Sequence, residues 1–120
     1  MDVLIVDDDP LLREVLSAAV RKAVSGAEVV AVGDLEAAFE RLAHFEPPGL
    51  ALLDLGLPGH SGLDSLKRFR WKFPDVKVVV VSANEDERAV RVALDAGAAA
   101  YIPKSFKPEA MVAALARAAR

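Results

Sequence analysis

Apolar residues along this chain follow two rhythms. Short runs recur roughly every 20–25 residues, at Val3–Val6, Val29–Val32, Leu50–Leu53, Val78–Val81 and Ala99–Ile102, and read as strands. Three of the runs are apolar without alternation, the pattern of parallel strands covered on both faces. Between the runs, apolar positions fall at helical spacing. Leu12, Val15, Leu16, Ala19, Val20 and Ala23 form one stripe, and Leu35, Ala38, Phe39 and Leu42 a second. Leu66, Phe69 and Phe73 mark a third helix, Ala89, Val90, Ala93 and Leu94 a fourth, and Met111, Ala114, Leu115 and Ala118 a fifth.

Boundary residues agree with these elements. Asp9-Pro10 supplies a cap and a proline at the first helical position, and Pro108 does the same service before helix five. Asn84 followed by Glu87 reads as a capping box for helix four, and Gly97 stands where that helix should stop. The order is therefore (βα)5 in one α/β domain over residues 1–120, with no linker or low-complexity segment. Right-handed crossovers wind such a chain into an open, doubly wound five-stranded parallel sheet. Ligands bind such sheets at the carboxyl ends of the strands, where strand order reverses.

Composition narrows the function. The chain is 53% hydrophobic and carries a net charge of −3, so it offers no basic excess for direct nucleic-acid binding. It has no cysteine, which removes disulfides and thiolate metal sites. Met1-Asp2 leads straight into the first strand without a cationic leader, and no apolar run approaches the roughly 18 residues of a membrane span. The expected compartment is the cytoplasm, without membrane contact.

The polar residues at the predicted strand ends are the main chemical signal. Strand one ends in Asp7, Asp8 and Asp9, strand three in Asp54, strand four in Ser82 and strand five in Lys104. Two like charges 4 Å apart repel by about 4 kcal/mol at an effective dielectric near 20. Proton uptake, a cationic side chain or a divalent cation relieves that repulsion. Lys104 brings one positive charge against at least three negative ones. An all-oxygen site without histidine or cysteine favours a hard ion, so Mg²⁺ is expected, and Mn²⁺ or Ca²⁺ could substitute. Such a pocket attracts phosphate, and Asp54 then stands as a carboxylate nucleophile able to form an aspartyl phosphate. Lys104 would pair with one phosphoryl oxygen and the Ser82 hydroxyl would donate to another.

Four motifs sit at these strand ends: Leu4-Ile5-Val6-Asp7-Asp8-Asp9-Pro10, Leu53-Asp54-Leu55-Gly56-Leu57-Pro58 with Gly62, Val81-Ser82-Ala83, and Tyr101-Ile102-Pro103-Lys104-Ser105. In this order they resemble the receiver domain of two-component response regulators, over essentially the whole chain. The resemblance implies the flavodoxin-like strand order 2-1-3-4-5. It implies that Asp54 accepts a phosphoryl group from a histidine kinase or phosphotransfer protein in a Mg²⁺-dependent reaction. Asp7, Asp8, Asp54 and the Gly56 carbonyl would hold the metal. Ser82, Ala83 and Tyr101 would form the switch that alters the surface of helix four, strand five and helix five. The protein would be no conventional enzyme, catalysing only its own phosphorylation and dephosphorylation. Such domains control an effector domain outside this sequence and often form homodimers on phosphorylation.

The sequence departs from the family pattern in places. Ser82 stands where threonine is commoner, keeping the hydroxyl without the methyl. Ser105 follows Lys104 where many relatives carry proline; a cis Lys104–Ser105 bond is expected from the family, against a cost of about 2.5–4 kcal/mol for a non-proline residue. The Lys-Ser pair also occurs in relatives whose output module is a helix-turn-helix DNA-binding domain. Gly56 and Asn84 occupy positions that influence phosphoryl lifetime in the family.

Plainer readings compete at several residues. Helix capping accounts for Asp9 without a metal role. His44 and His60 have no histidine partner nearby in sequence and read as surface residues. In Lys67-Arg68-Phe69-Arg70-Trp71-Lys72, helical spacing sends Phe69 inward and the charges to solvent. Leu11 falls off the inward stripe of helix one. A flavodoxin-like cofactor site is disfavoured because Asp7-Asp8-Asp9 would repel phosphate from the first loop. A phosphatase would need a substrate-binding insertion and a second general acid, for which 120 residues leave no room. The serious alternative is a receiver-like interaction domain that works without phosphorylation.

Overall fold

In the computed structural model, residues 1–56 and 63–120 are described. Their order is β1 (Asp2–Val6), α1 (Pro10–Ala23), β2 (Glu28–Val32), α2 (Leu35–Leu42), β3 (Leu50–Leu53), α3 (Asp64–Lys72), β4 (Lys77–Ser82), α4 (Glu87–Asp95), β5 (Ala100–Pro103) and α5 (Pro108–Ala118). All strand pairs are parallel, in the order β2-β1-β3-β4-β5. The reversal falls between β1 and β3, where Val3 pairs with Leu50 and Val6 with Leu53.

The unbroken apolar runs follow from burial on both faces. Val3, Ile5, Leu50, Leu52, Val79, Val81 and Ile102 point to one face, where Leu16 and Val20 of α1 meet Met111 and Leu115 of α5. Leu4, Val6, Ala51, Leu53, Val78 and Val80 point to the other, against Leu35 and Ala38 of α2, Leu66 and Phe69 of α3 and Ala93 of α4. On that second face Phe39, Phe69 and Phe73 cluster, with ring centroids 5.3 to 6.3 Å apart. Aromatic pairs at such separations contribute about 0.5–1.5 kcal/mol each beyond area burial.

Several boundaries differ from the sequence reading. Strand β5 starts at Ala100 rather than Ala99, whose amide donates to the Val78 carbonyl as the chain enters the sheet. Val15 is 50% exposed and Leu94 43% exposed, so the inward stripes of α1 and α4 are narrower than periodicity implies. Ala93 is the buried residue of α4. Asn84 does not cap α4. Asp86 is the N-cap, accepting from the Arg88 amide at 2.9 Å, while the Asn84 side chain accepts from the Asp86 amide at 2.9 Å. Each short polar side chain reaches the amide two residues ahead, and Asp86 is the one next to the helix.

Other terminal signals hold. Oδ1 of Asp9 accepts from the Leu11 and Leu12 amides, and Pro108 opens α5. Gly97 follows α4 at φ +107°, and a Cβ there would run into the Arg70 guanidinium, so both backbone and space call for glycine. The Lys104–Ser105 peptide is trans, as are all peptide bonds among the described residues, contrary to the cis bond expected from the family. Serine lacks the tertiary amide with which proline lowers the cost of a cis bond. No helix among the described residues is long and apolar enough to cross a membrane.

Candidate functional site

Three backbone hydrogen bonds carry the sheet ladder one residue beyond the strands. The Asp7 amide donates to the Val32 carbonyl at 3.1 Å, the Asp54 amide to Val6 at 3.0 Å, and the Lys104 amide to Ser82 at 2.8 Å. The side chains that follow therefore keep the sheet's alternation. Counting in twos from Ile5, Leu52 and Ile102 puts Asp7, Asp54 and Lys104 on the same face. Ser82, two residues beyond Val80, belongs to the other.

The geometry agrees with that count. Nζ of Lys104 lies 3.1 Å from Oδ2 of Asp54 and 3.2 Å from Oδ2 of Asp7. Asp7 and Asp54 are buried, at 1% and 5% exposure, whereas Asp8 is exposed. One carboxylate oxygen from each of Asp7, Asp8 and Asp54 falls within 4.8 Å of the others. Oδ1 of Asp7 accepts from the Asp9 amide, and Oδ1 of Asp54 from the Gly56 amide, both at 2.9 Å. A Cβ at Gly56 would stand 3.4 Å from Oδ1 of Asp54, an ordinary contact distance.

Burial pushes the Asp7 carboxyl above its ordinary pKa; the Asp9 amide works against this, the Asp54 charge adds to it, and Lys104 offsets part. Burial also works against the Lys104 ammonium, but its hydrogen bond and charge pairing with Asp54, joined by Asp7, outweigh it and its pKa is raised. The ion pair to Asp7 lacks hydrogen-bond alignment, because Oδ2 of Asp7 is buried without a hydrogen-bond partner. Three carboxylates against one ammonium, with a buried acceptor unused, make a donor set that fits a hard divalent cation. The cluster can hold a metal.

Ser82 is 6% exposed, and its Oγ accepts from the Asn84 amide at 3.1 Å. With Gly56, Asn84, Arg88 and Tyr101 it lines an open groove running toward α4. The Tyr101 hydroxyl donates to the Asn84 carbonyl at 2.6 Å, and Ser105 Oγ donates to Glu85 Oε1 at 3.1 Å. Ala83 is exposed at the start of this β4–α4 loop.

Asn84 thus ties Ser82 to Tyr101, a role that its pairing with Glu87 in sequence gave no sign of. Arg13 was likewise unmarked. Its Nη1 donates to the Asp7 carbonyl at 2.7 Å. Nothing in a stripe-patterned helix singles out which charged residue will turn back onto the loop before it. His44 and Leu11 are exposed, and Phe69 is buried, as their positions imply; Trp71, which spacing does not place, is exposed. Leu57, Pro58, His60 and Gly62 lie outside the described residues.

Comparison with known proteins adds independent support. A family model described as the response regulator receiver domain matches residues 3–116. The chain is 35% identical over 117 residues to the transcriptional activator protein ExaE of Pseudomonas putida, covering 98% of this chain and 54% of that protein. It is 36% identical over 120 residues to the nitrate/nitrite response regulator protein NarL of Escherichia coli K12, again covering 98% of this chain and 54% of the relative. The chain thus spans about half the length of these curated relatives. The receiver domain of NtrX from Brucella abortus superposes with a TM-score of 0.84 at 27% identity, covering 98% of both chains. The family model spans nearly the whole chain, and relatives 35% and 36% identical match over 98% of it: the chain belongs to the response regulator receiver domain family.

Proposed function

We propose that residues 1–120 act as a phospho-acceptor switch in which Asp54 takes a phosphoryl group from a phosphohistidine of a kinase or phosphotransfer protein. The observation that carries this reading is the buried Asp54 carboxylate, paired with Lys104 at 3.1 Å and clustered with Asp7 and Asp8. A carboxylate oxygen of Asp54 attacks phosphorus, an O–P bond forms, and the N–P bond to the donor imidazole breaks, its electron pair remaining on nitrogen. Asp7, Asp8, Asp54 and the Gly56 carbonyl would hold Mg²⁺, which supplies positive charge to the phosphoryl oxygens when bound. Lys104, already beside Asp54, exchanges its carboxylate contact for a phosphoryl oxygen. Ser82 turns its hydroxyl toward the same group, and Ala83, being small, leaves room for the loop to follow. Water on the acyl phosphate later reverses the modification, so the domain catalyses only its own phosphorylation and dephosphorylation.

The output follows from the loop above the site. Ser82 and Tyr101 both hold Asn84, and α4 buries Ala93 alone, so a turn of Ser82 releases a thinly anchored helix. The face of α4, β5 and α5 then shifts to act on an effector domain or to form a homodimer. The domain's net charge of −3 leaves any DNA contact to the effector.

Intact-mass spectrometry after incubation with acetyl phosphate tests the reading, with Mg²⁺ or EDTA and with Asp54→Asn. A Mg²⁺-dependent gain of one phosphoryl group, absent from the variant, is expected. A folded protein that takes up no phosphoryl group and binds no beryllofluoride would instead be an interaction domain that works without phosphorylation.

A further inference from the structure

The loop that carries Asp8 is closed at each point except Asp8 itself. The Asp9 amide donates to Oδ1 of Asp7 at 2.9 Å, and Asp9 uses its own side chain to cap α1. Arg13 holds the carbonyl before Asp8 with its side chain, while its backbone makes the ordinary first-turn bond of α1. Its Nη1 donates to the Asp7 carbonyl at 2.7 Å, and its backbone amide donates to the Asp9 carbonyl at 3.0 Å. The guanidinium also reaches the β2–α2 connection, where a Cβ on Gly33 would stand 3.2 Å from Nη1. The exposed Asp8 carboxylate makes no hydrogen bond or ion pair among the described residues.

We infer that Arg13 is the positioning residue for the cation site, acting through the Asp7–Asp8–Asp9 backbone to hold the Asp8 carboxylate where Asp7 and Asp54 converge. The inference rests on the metal-binding reading of that cluster. A charge-assisted hydrogen bond fixes the orientation of the Asp7–Asp8 peptide, so Asp8 starts from the chain direction that brings its oxygen within 4.8 Å of its neighbours. Groups that orient metal ligands without touching the metal act in this manner, and their loss weakens binding about 10- to 100-fold. Arg13 grips a backbone carbonyl rather than the ligand atom, so the expected loss lies near the lower end, about tenfold.

Calorimetric titration of Mg²⁺, without any phosphodonor, tests this on wild type, Arg13→Met, Arg13→Gln and Arg13→Lys. Thermal unfolding in EDTA reports folding of each variant separately. Arg13→Met should bind Mg²⁺ about tenfold more weakly than wild type, and Arg13→Lys, which keeps a charged donor, should recover most of the loss. Arg13→Gln, a neutral donor of shorter reach, should fall between them and serves if Arg13→Met does not fold. A merely structural arginine would lower the unfolding temperature while leaving the Mg²⁺ affinity of the folded protein unchanged, and that result would overturn the inference. Equal weakening in Arg13→Met and Arg13→Lys would overturn it too, since the charged donor would then play no part. Failure of wild type to bind Mg²⁺ would instead remove the metal reading on which the inference stands.

Discussion

Lys104 and Asp54 reach the same point from strands that are not neighbours: Nζ of Lys104 lies 3.1 Å from Oδ2 of Asp54, across the end of β4. The same ammonium stands 3.2 Å from Asp7, so one cation holds two buried carboxylates together. Removing one partner from a buried pair leaves uncompensated charge and costs about 3–5 kcal/mol. The Lys104 side chain is 21% exposed, which lowers the expectation to about 2–3 kcal/mol. Lys104→Met should therefore unfold at lower temperature in EDTA, and Mg²⁺ should restore more stability to it than to wild type. Thermal scans with and without Mg²⁺ check this; equal Mg²⁺ stabilisation in both proteins would contradict it.

The raised pKa of Asp7 gives metal binding a pH dependence. Burial is the main cause, and the Asp54 charge adds to it. The folded, metal-free protein thus holds the Asp7 proton more tightly than the unfolded chain does. This group favours folding when protonated, and the contribution is lost as pH rises from the unfolded carboxylate pKa through the raised folded value. A cation needs the ionised form, so Mg²⁺ affinity should decline on acidification while pH is still above the ordinary carboxylate range. Mg²⁺ titrations at stepped pH, in wild type and Asp7→Asn, measure it. The expected result is a proton released on binding in wild type and a flatter pH profile in the variant.

Asp9 separates capping from metal binding. Its Oδ1 accepts from the Leu11 and Leu12 amides at 2.9 and 3.3 Å, and the carboxylates that converge are those of Asp7, Asp8 and Asp54. Asp9→Ala should cost about 1 kcal/mol through loss of the N-cap. Its Mg²⁺ affinity should stay within about twofold of wild type, since the backbone amide that serves Asp7 is retained. Denaturant unfolding and Mg²⁺ titration of the one variant decide between the roles.

Tyr101→Phe tests the link between site and surface. The substitution removes the 2.6 Å hydrogen bond to the Asn84 carbonyl and leaves the ring in place. A net loss of about 0.5–1.5 kcal/mol is expected. It should concentrate in faster amide exchange over residues 83–86 and the first turn of α4, with little change in β1 and β3. Exchange that rises evenly over the whole sheet would show that Tyr101 acts on global stability and not on this loop.

Much of the fold was legible because strands buried on both faces write themselves as unbroken apolar runs. Leu50–Leu53 and the core of β4 were placed in this way to within a residue. Terminal signals of one-residue reach, such as Asp9-Pro10 and Gly97, were equally readable. Asn84 was misread because an Asx side chain bonds two residues ahead wherever it stands, and sequence spacing alone cannot say which of Asn84 and Asp86 the helix begins beside. Val15 and Leu94 were placed inside because period counts describe an ideal stripe, while the width buried depends on what packs opposite.

The sequence alone determined the five βα units, the identity of the strand-end residues and the family, because these depend on local patterning and on motif order. The shared face of Asp7, Asp54 and Lys104 follows from counting in twos only once the sheet has put Ile5, Leu52 and Ile102 on one face. Tertiary structure decided what no local count contains. Oδ2 of Asp7 is left without a hydrogen bond, Lys104 divides itself between two carboxylates, and Arg13 folds back onto the carbonyl before Asp8. Each of these depends on the distance between groups far apart in sequence. That distance is set by the packing of α1 and α5 against the sheet and by the register at which β1 meets β3.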